Sequence, residues 1–321
     1  MNKRNPYLTF LLAFIFGAPS ILLWHGRFRT ALAFFLGFNV AVLLPIALFR
    51  VGIDTSLMSL PVPTSNSASG AVVFFLVTLG ALFLAFRVYR LEARPVWYAN
   101  WKVAFLGFGL LSMLLALGFR TFVLQPFSIP ASSMEPSLRK GDIILVSKFA
   151  YGYSRHSFPF SAAPIEKRVF IAEPNRGDIA VFKNRDGVDY VKRIVGLPGE
   201  SVSVRGGVVH IDGEPARMEA MEYPEGARYC ENRLASCTTY LETLPGSLPH
   251  VVIDIAKGTA ADDTREFLVP AGHYFMMGDD RDNSNDSRFG LGFIPYENLI
   301  GRVWTVIYNT ESIAYDGRPA L

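Results

Sequence analysis

Val103-Ala-Phe-Leu-Gly-Phe-Gly-Leu-Leu-Ser-Met-Leu-Leu-Ala-Leu-Gly-Phe119 runs without a charge to Arg120, and the chain then turns into Gln125-Pro-Phe-Ser-Ile-Pro-Ala-Ser-Ser-Met134. An unbroken apolar run of about 20 residues is what a bilayer core of about 30 Å requires of a helix. A segment punctuated by two prolines is instead stiff and extended. The change near residue 120 divides the chain into two regions of opposite character. Residues 1–125 carry ten Lys/Arg against two acids, and residues 126–321 carry 21 against 26, so the overall net charge of +3 is the sum of +8 and −5. With 50% hydrophobic and 18% charged residues and a mean hydropathy of +0.27, the chain is too apolar for a purely soluble protein. No Lys/Arg run points to nucleic acid.

Working back from residue 120, three more stretches match it. Tyr7–Trp24, Thr30–Phe49 and Gly70–Phe86 are apolar throughout and hold no charged side chain. Soluble helices alternate polar and apolar faces, so four such stretches in succession predict a multi-pass α-helical membrane anchor over residues 1–120. Further apolar segments follow the first, which argues against a cleaved leader at the start. Basic residues set the orientation. The linker Arg87–Lys102, with Arg87, Arg90, Arg94 and Lys102, belongs on the cytoplasmic side, and residues 51–69, with no basic residue, belong outside. The fourth stretch then delivers everything beyond Arg120 to the external face. The first stretch has basic residues at both ends (Lys3 and Arg4, Arg27 and Arg29) and is broken by Gly17-Ala-Pro-Ser20. It is either a re-entrant hairpin or a fourth crossing.

Working forward, continuous apolar runs give way to short alternating ones. Asp142–Val146, Asp178–Phe182, Tyr190–Val195, Ser201–Arg205 and Val208–Asp212 read as strands, with further strands at 251–255, 274–277 and 302–307. Residues 121–321 are therefore expected to form a mainly β domain, an antiparallel and partly closed sheet, with an irregular insertion at about 214–265. Cys230 and Cys237 suit a short-loop disulfide on an oxidising face, the alternative being two free thiols. The five histidines (25, 156, 210, 250 and 273) never pair at metal-ligand spacing, so no metal is expected.

Three segments can carry chemistry. The prolines around Ser132 and Ser133 present a serine in extended backbone just beyond the last apolar stretch. In Asp189-Tyr-Val-Lys-Arg-Ile-Val195, alternation sends one of the adjacent basic side chains inward among apolar neighbours. A buried lysine loses its charge more readily, which makes Lys192 a candidate general base for a serine. The run Met277-Gly-Asp-Asp-Arg-Asp-Asn-Ser-Asn-Asp-Ser-Arg288 is rich in calcium-type ligands, but it lacks the glycine and glutamate spacing of an EF-hand. A polar loop cross-linked by Asp–Arg pairs is the better reading.

These blocks, in this order behind a membrane anchor, resemble bacterial type I signal peptidase (leader peptidase), a Ser–Lys dyad serine peptidase family. The likeness runs from about Arg120 to Arg302 through Ser-x-x-x-x-Ser-Leu-x-x-Gly-Asp ending at Asp142, Lys148-Phe-Ala-Tyr-Gly152, Lys192-Arg-Ile-Val-Gly-Leu-Pro-Gly199, Tyr274-Phe-Met-Met-Gly278 and the loop to Arg288. Before residue 100 it is weaker, since family members usually carry one or two anchors. The resemblance implies that Ser133 is the nucleophile, Lys192 the general base and Ser284 the residue orienting the lysine, with Asp286 and Arg288 bracing the loop. It places Phe127, Ile129, Pro130, Ala131, Met134, Leu138, Tyr190 and Val191 along shallow apolar pockets for the cleaved peptide. Two positions depart from the pattern. Ala131 stands where many relatives have a serine that helps hold the oxyanion, leaving the backbone N–H of Ser133 to act without it. Asp280 replaces the usual asparagine.

The activity so implied is removal of signal peptides from exported preproteins after small residues of the Ala-x-Ala type, with no cofactor. The implied setting is the bacterial cytoplasmic membrane, with the catalytic domain on its outer face. The partners are preproteins, the lipid bilayer and, transiently, the secretion translocon. Two rivals remain at this point: a peptidase dedicated to one pilus or conjugation precursor, which the 214–265 insertion would suit, and a non-enzymatic membrane scaffold, which predicts a missing dyad member.

Overall fold

The computed structural model describes residues 7, 22–25, 27–32, 96–97, 99–158, 161, 164–165, 167–221, 230 and 237–310. The chain divides into two compact units, Met1–Leu117 and Gly118–Leu321. The apolar stretch 70–86 and most of 7–24 and 30–49 lie outside the described residues. The fourth falls in helix α1, Trp101–Phe122. Its 22 residues correspond to about 33 Å at 1.5 Å per residue, and Leu106, Leu110 and Met113 are exposed on it. Side chains at several α1 positions, 104–105 and 108–109 among them, are not described. Among the described residues no helix is long and apolar enough to cross a membrane, so the multi-pass anchor expected for residues 1–120 rests on the sequence.

The second unit is mainly β and antiparallel. Its strands are β1 (Leu124–Ser128), β2 (Asp142–Ser147), β3 (Ile179–Lys183), β4 (Asp189–Gly196), β5 (Ser201–Arg205), β6 (Val208–Ile211), β7 (Glu214–Pro215), β8 (Arg217–Ala220), β9 (Thr238–Thr243), β10 (His250–Asp254), β11 (Phe267–Leu268), β12 (His273–Met277), β13 (Ile294–Pro295) and β14 (Leu299–Asn309). Seven of them make one sheet in the order β1-β2-β14-β3-β4-β12-β13, flanked by a four-stranded sheet, β11-β5-β6-β7, and a three-stranded one, β10-β9-β8.

Burial explains this layout. Strand β3 sends Ile179 and Val181 into one apolar cluster, with Ile144, Val146 and Val303, and sends Ala180 and Phe182 into another, with Ile194 and Met276. The central sheet is therefore covered on both faces, and β3 reads as a continuous apolar run for that reason. Val195 on β4 joins a third cluster with Val202, Val209 and Ile211 of the smaller sheet. The insertion at 214–265 is not irregular as expected: its described residues build β8, β9 and β10. The intervening 222–229 and 231–236 lie outside the description. Cys230 and Cys237, just before β9, are joined by a disulfide with a Cα–Cα separation of 5.7 Å.

Candidate active site

Strands β1 and β2 pair antiparallel, and residues 129–141 are the excursion between them. Its base is closed by Ile129 N–H donating to Asp142 O (2.9 Å) and Gly141 N–H donating to Ile129 O (2.8 Å). Met134 and Leu138 plug its inner side into the core, at 2% and 0% exposure. With Ile129 buried before Ser133 and Met134 after it, the serine is held between two apolar anchors. From the other side, Asp280 N–H donates to the Ser133 carbonyl (3.2 Å).

Lys192 lies on β4, paired to Ala180 of β3. Its Nζ donates to Ser133 Oγ in a short contact across 59 residues of sequence. The lysine is 3% exposed. Burial lowers its pKa from 10.5 to about 8; the carboxylates of Asp286, Asp279 and Asp280 oppose the shift, and Arg288 adds to it. The next residue, Arg193, is buried as well, so alternation does not leave one of the two basic side chains outside as expected. The difference lies in compensation. Arg193 forks onto Asp279 (Nε–Oδ1 2.7 Å, Nη2–Oδ2 2.6 Å) and also reaches Gly177 O (2.7 Å) and Ser137 Oγ (3.1 Å). Burial would raise the Asp279 carboxyl, but the Arg193 guanidinium outweighs it and holds the group below the usual range. A charge so paired can stay charged indoors, whereas Lys192, facing a hydroxyl, gives its charge up more easily.

The loop 278–288 forms the opposite wall. Asp286 accepts from Gly278 N–H (3.1 Å) and from Arg288 Nε (3.0 Å) and Nη2 (2.8 Å). Arg288 also donates to the carbonyls of Ala261 (3.1 Å) and Arg281 (2.6 Å), so this Asp–Arg pair does cross-link the loop. Gly278 has no room for a side chain, because a Cβ there would fall inside contact distance of both Ser284 Oγ and the Ser133 carbonyl. Ser284 is thus packed at the site, yet its buried Oγ makes no hydrogen bond among the described residues, to Lys192 or to any other group. Asn283 Nδ2 reaches Ser132 Oγ (3.0 Å), a further tie between the two loops.

The residues expected along the peptide pockets divide by burial. Ile129, Met134 and Leu138 belong to the core cluster, with Phe127 and Val191 half-buried against it. Pro130 and Ala131 are exposed. Tyr190 packs against Phe182 on a different cluster (ring centroids 6.2 Å apart). Sequence reasoning missed Arg193, Asp279, Arg281 and Gly278 as parts of the site. The signal available for Arg193 was its place beside Lys192 on a strand with apolar residues on both faces. As to metals, the carboxylates of Asp254, Asp262 and Asp282 come within 4.8 Å of one another. Asp262 already accepts from Gly258 and Thr259 N–H, and Asp282 from Ile255 and Ala256 N–H.

The family model for signal peptidase, peptidase S26, matches residues 102–308. The chain belongs to that family. It is a hydrolase acting on peptide bonds, and the unit that holds Ser133 and Lys192 falls almost wholly inside the match. Signal peptidase I of Rickettsia typhi (strain ATCC VR-144 / Wilmington) is 37% identical over 215 residues, covering 63% of this chain and 78% of the relative. Signal peptidase I of Rickettsia canadensis (strain McKiel) matches to the same extent. A crystal structure of a signal peptidase I from Enterococcus faecalis V583 is 28% identical, with a TM-score of 0.26, covering 41% of this chain and 97% of that one.

Proposed function

We propose that the chain is a membrane-anchored serine endopeptidase that removes signal peptides through a Ser133–Lys192 dyad. The observation that carries the reading is a buried lysine, lowered to about 8, in hydrogen-bond contact with a serine hydroxyl. Neutral Lys192 takes the hydroxyl proton as Ser133 Oγ attacks the scissile carbonyl carbon. The tetrahedral intermediate collapses with cleavage of the C–N bond. The leaving amine takes its proton from Lys192, and an acyl ester remains on Ser133. Water, deprotonated by the same lysine, then attacks the ester, and the proton returns to Ser133 Oγ. The backbone N–H of Ser133 is the donor for the developing oxyanion, Ala131 offering no side-chain donor.

Phe127 and Val191, half-buried beside the dyad, support shallow pockets that accept small side chains. Asp286 and Arg288 brace the loop that walls the lysine, and Ser284 is the orienting residue once substrate aligns its hydroxyl. The apolar stretches 7–24, 30–49, 70–86 and 103–119 anchor the enzyme in the bacterial cytoplasmic membrane with its β unit outside. Membrane-bound preproteins and the enzyme then share one surface, which raises their effective concentration.

The test is complementation. Wild type, Ser133→Ala and Lys192→Ala are expressed in a strain depleted of its own signal peptidase, and preprotein size is followed on gels. Processing by wild type and by neither variant is expected. Wild-type rates from either variant would refute the dyad.

A further inference from the structure

The three-stranded sheet of the 214–265 insertion makes a set of buried contacts that the chemistry above does not use. Glu242, on β9, is 0% exposed. Its carboxylate is gripped by Arg281 of the active-site loop, with Nη1 donating to Oε1 (2.8 Å) and Nη2 to Oε2 in a shorter contact. His250 Nε2, on the neighbouring β10, lies 3.1 Å from Oε2. Burial alone would raise the Glu242 carboxyl, but the Arg281 guanidinium and the His250 ring together outweigh it and hold the group at about 2, so Glu242 stays ionised. The backbone runs parallel to this fork. Ile253 N–H donates to Asp279 O (2.8 Å), and Arg281 N–H donates to Ile253 O (2.9 Å). The stretch 279–281 is in effect added to the edge of β10, opposite β9 in the ladder.

From Arg281 the route to the reacting atoms is short. Arg281 Nε donates to Gly278 O (3.3 Å), Asp280 N–H to the Ser133 carbonyl (3.2 Å), and Arg288 Nη2 to Arg281 O (2.6 Å). The loop is thus held from two directions, by Arg193 on the lysine's own strand and by Glu242 on the insertion. A buried ion pair adds little net stability over a well-packed apolar pair. A planar two-point fork does fix direction, which apolar packing does not.

We infer that Glu242 is a positioning residue of the active site, and that the β8–β10 sheet sets the position of residues 278–281 against Ser133 and Lys192. The inference rests on the dyad reading above. Loosening the grip lets water reach Lys192 and moves Ser133, and a misplacement of about 1 Å can cost about 10²-fold in rate.

The experiment measures kcat and KM against pH for the full-length enzyme in detergent micelles, with a fluorogenic signal-peptide substrate. Glu242→Gln is expected to lower kcat about tenfold or more with KM within about twofold. Its acid limb should move to higher pH, because a rehydrated lysine regains a pKa nearer 10.5 and must still be neutral to act. Glu242→Asp should recover part of the rate. If Glu242→Gln fails to fold, the double variant Glu242→Leu/Arg281→Met removes both charges without stranding either. It should melt close to wild type and still show the kcat loss and the displaced limb. Wild-type kcat and an unmoved limb in a folded Glu242→Gln or double variant would overturn the inference. Lys192→Ala is the control: if it is inactive while the Glu242 variants behave as wild type, only the positioning role falls; if it is fully active, the dyad falls and this inference with it.

Discussion

Lys148 and Lys192 are both nearly sealed from solvent, at 2% and 3% exposure, and burial lowers each from 10.5 to about 8. Their surroundings differ in one respect that matters. Lys148, in the 3₁₀ turn that follows β2, donates from Nζ to the carbonyl of Ser157, an acceptor with no proton to give. Lys192 Nζ meets the hydroxyl of Ser133, which has one. Desolvation supplies a base of similar strength at both places, but only the neighbour at Lys192 can be made a nucleophile. Burial tunes a lysine, and what it touches decides whether the tuning has any chemical outlet.

The comparison can be broken most directly by Lys192→Met, which keeps the apolar stem and removes the base. Turnover should fall by about 10²–10⁴, the usual contribution of a general base, when initial rates of signal-peptide cleavage are measured. Gly278→Ala comes next. Its new Cβ would displace the Ser133 carbonyl or Ser284, and kcat should drop by about 10² with folding retained by circular dichroism. Stability against pH follows. Each lysine is lowered to about 8 in the folded chain against 10.5 when exposed. Between those values the unfolded chain binds more protons, so stability rises as pH increases through this window. Chemical denaturation at pH 8 and pH 10 should show the gain in wild type and a smaller one in either Lys→Met variant. The smallest effect is that of Lys148→Met on turnover, which should stay within about twofold per folded molecule.

Much of this is legible in the amino-acid sequence. Strands β2 to β6 fall within a residue or two of the alternating runs from Asp142 to Asp212, because each has one face or both in an apolar cluster. Ser133, Lys192, Asp286 and Arg288 were legible as motif residues. What alternation could not show was that Arg193 is buried beside Lys192, since its partner Asp279 stands 86 residues away and only pairing makes burial tolerable. The order of the insertion was hidden for a similar reason. Glu242 reads as one more acid of an irregular insertion until the fold brings Arg281 to it, 39 residues on. Gly278 was visible as a motif glycine, but its reason, the crowding of Ser133 and Ser284 around it, is tertiary.

The central claim is that a lysine uncharged by burial activates Ser133. It is tested most directly by the pH dependence of kcat/KM for wild type and Lys148→Met side by side. The account predicts an acid limb with its midpoint near pH 8 in both proteins, since only Lys192 must be neutral for attack. A limb that rises only near pH 10.5, or one that shifts when Lys148 is replaced, would contradict it.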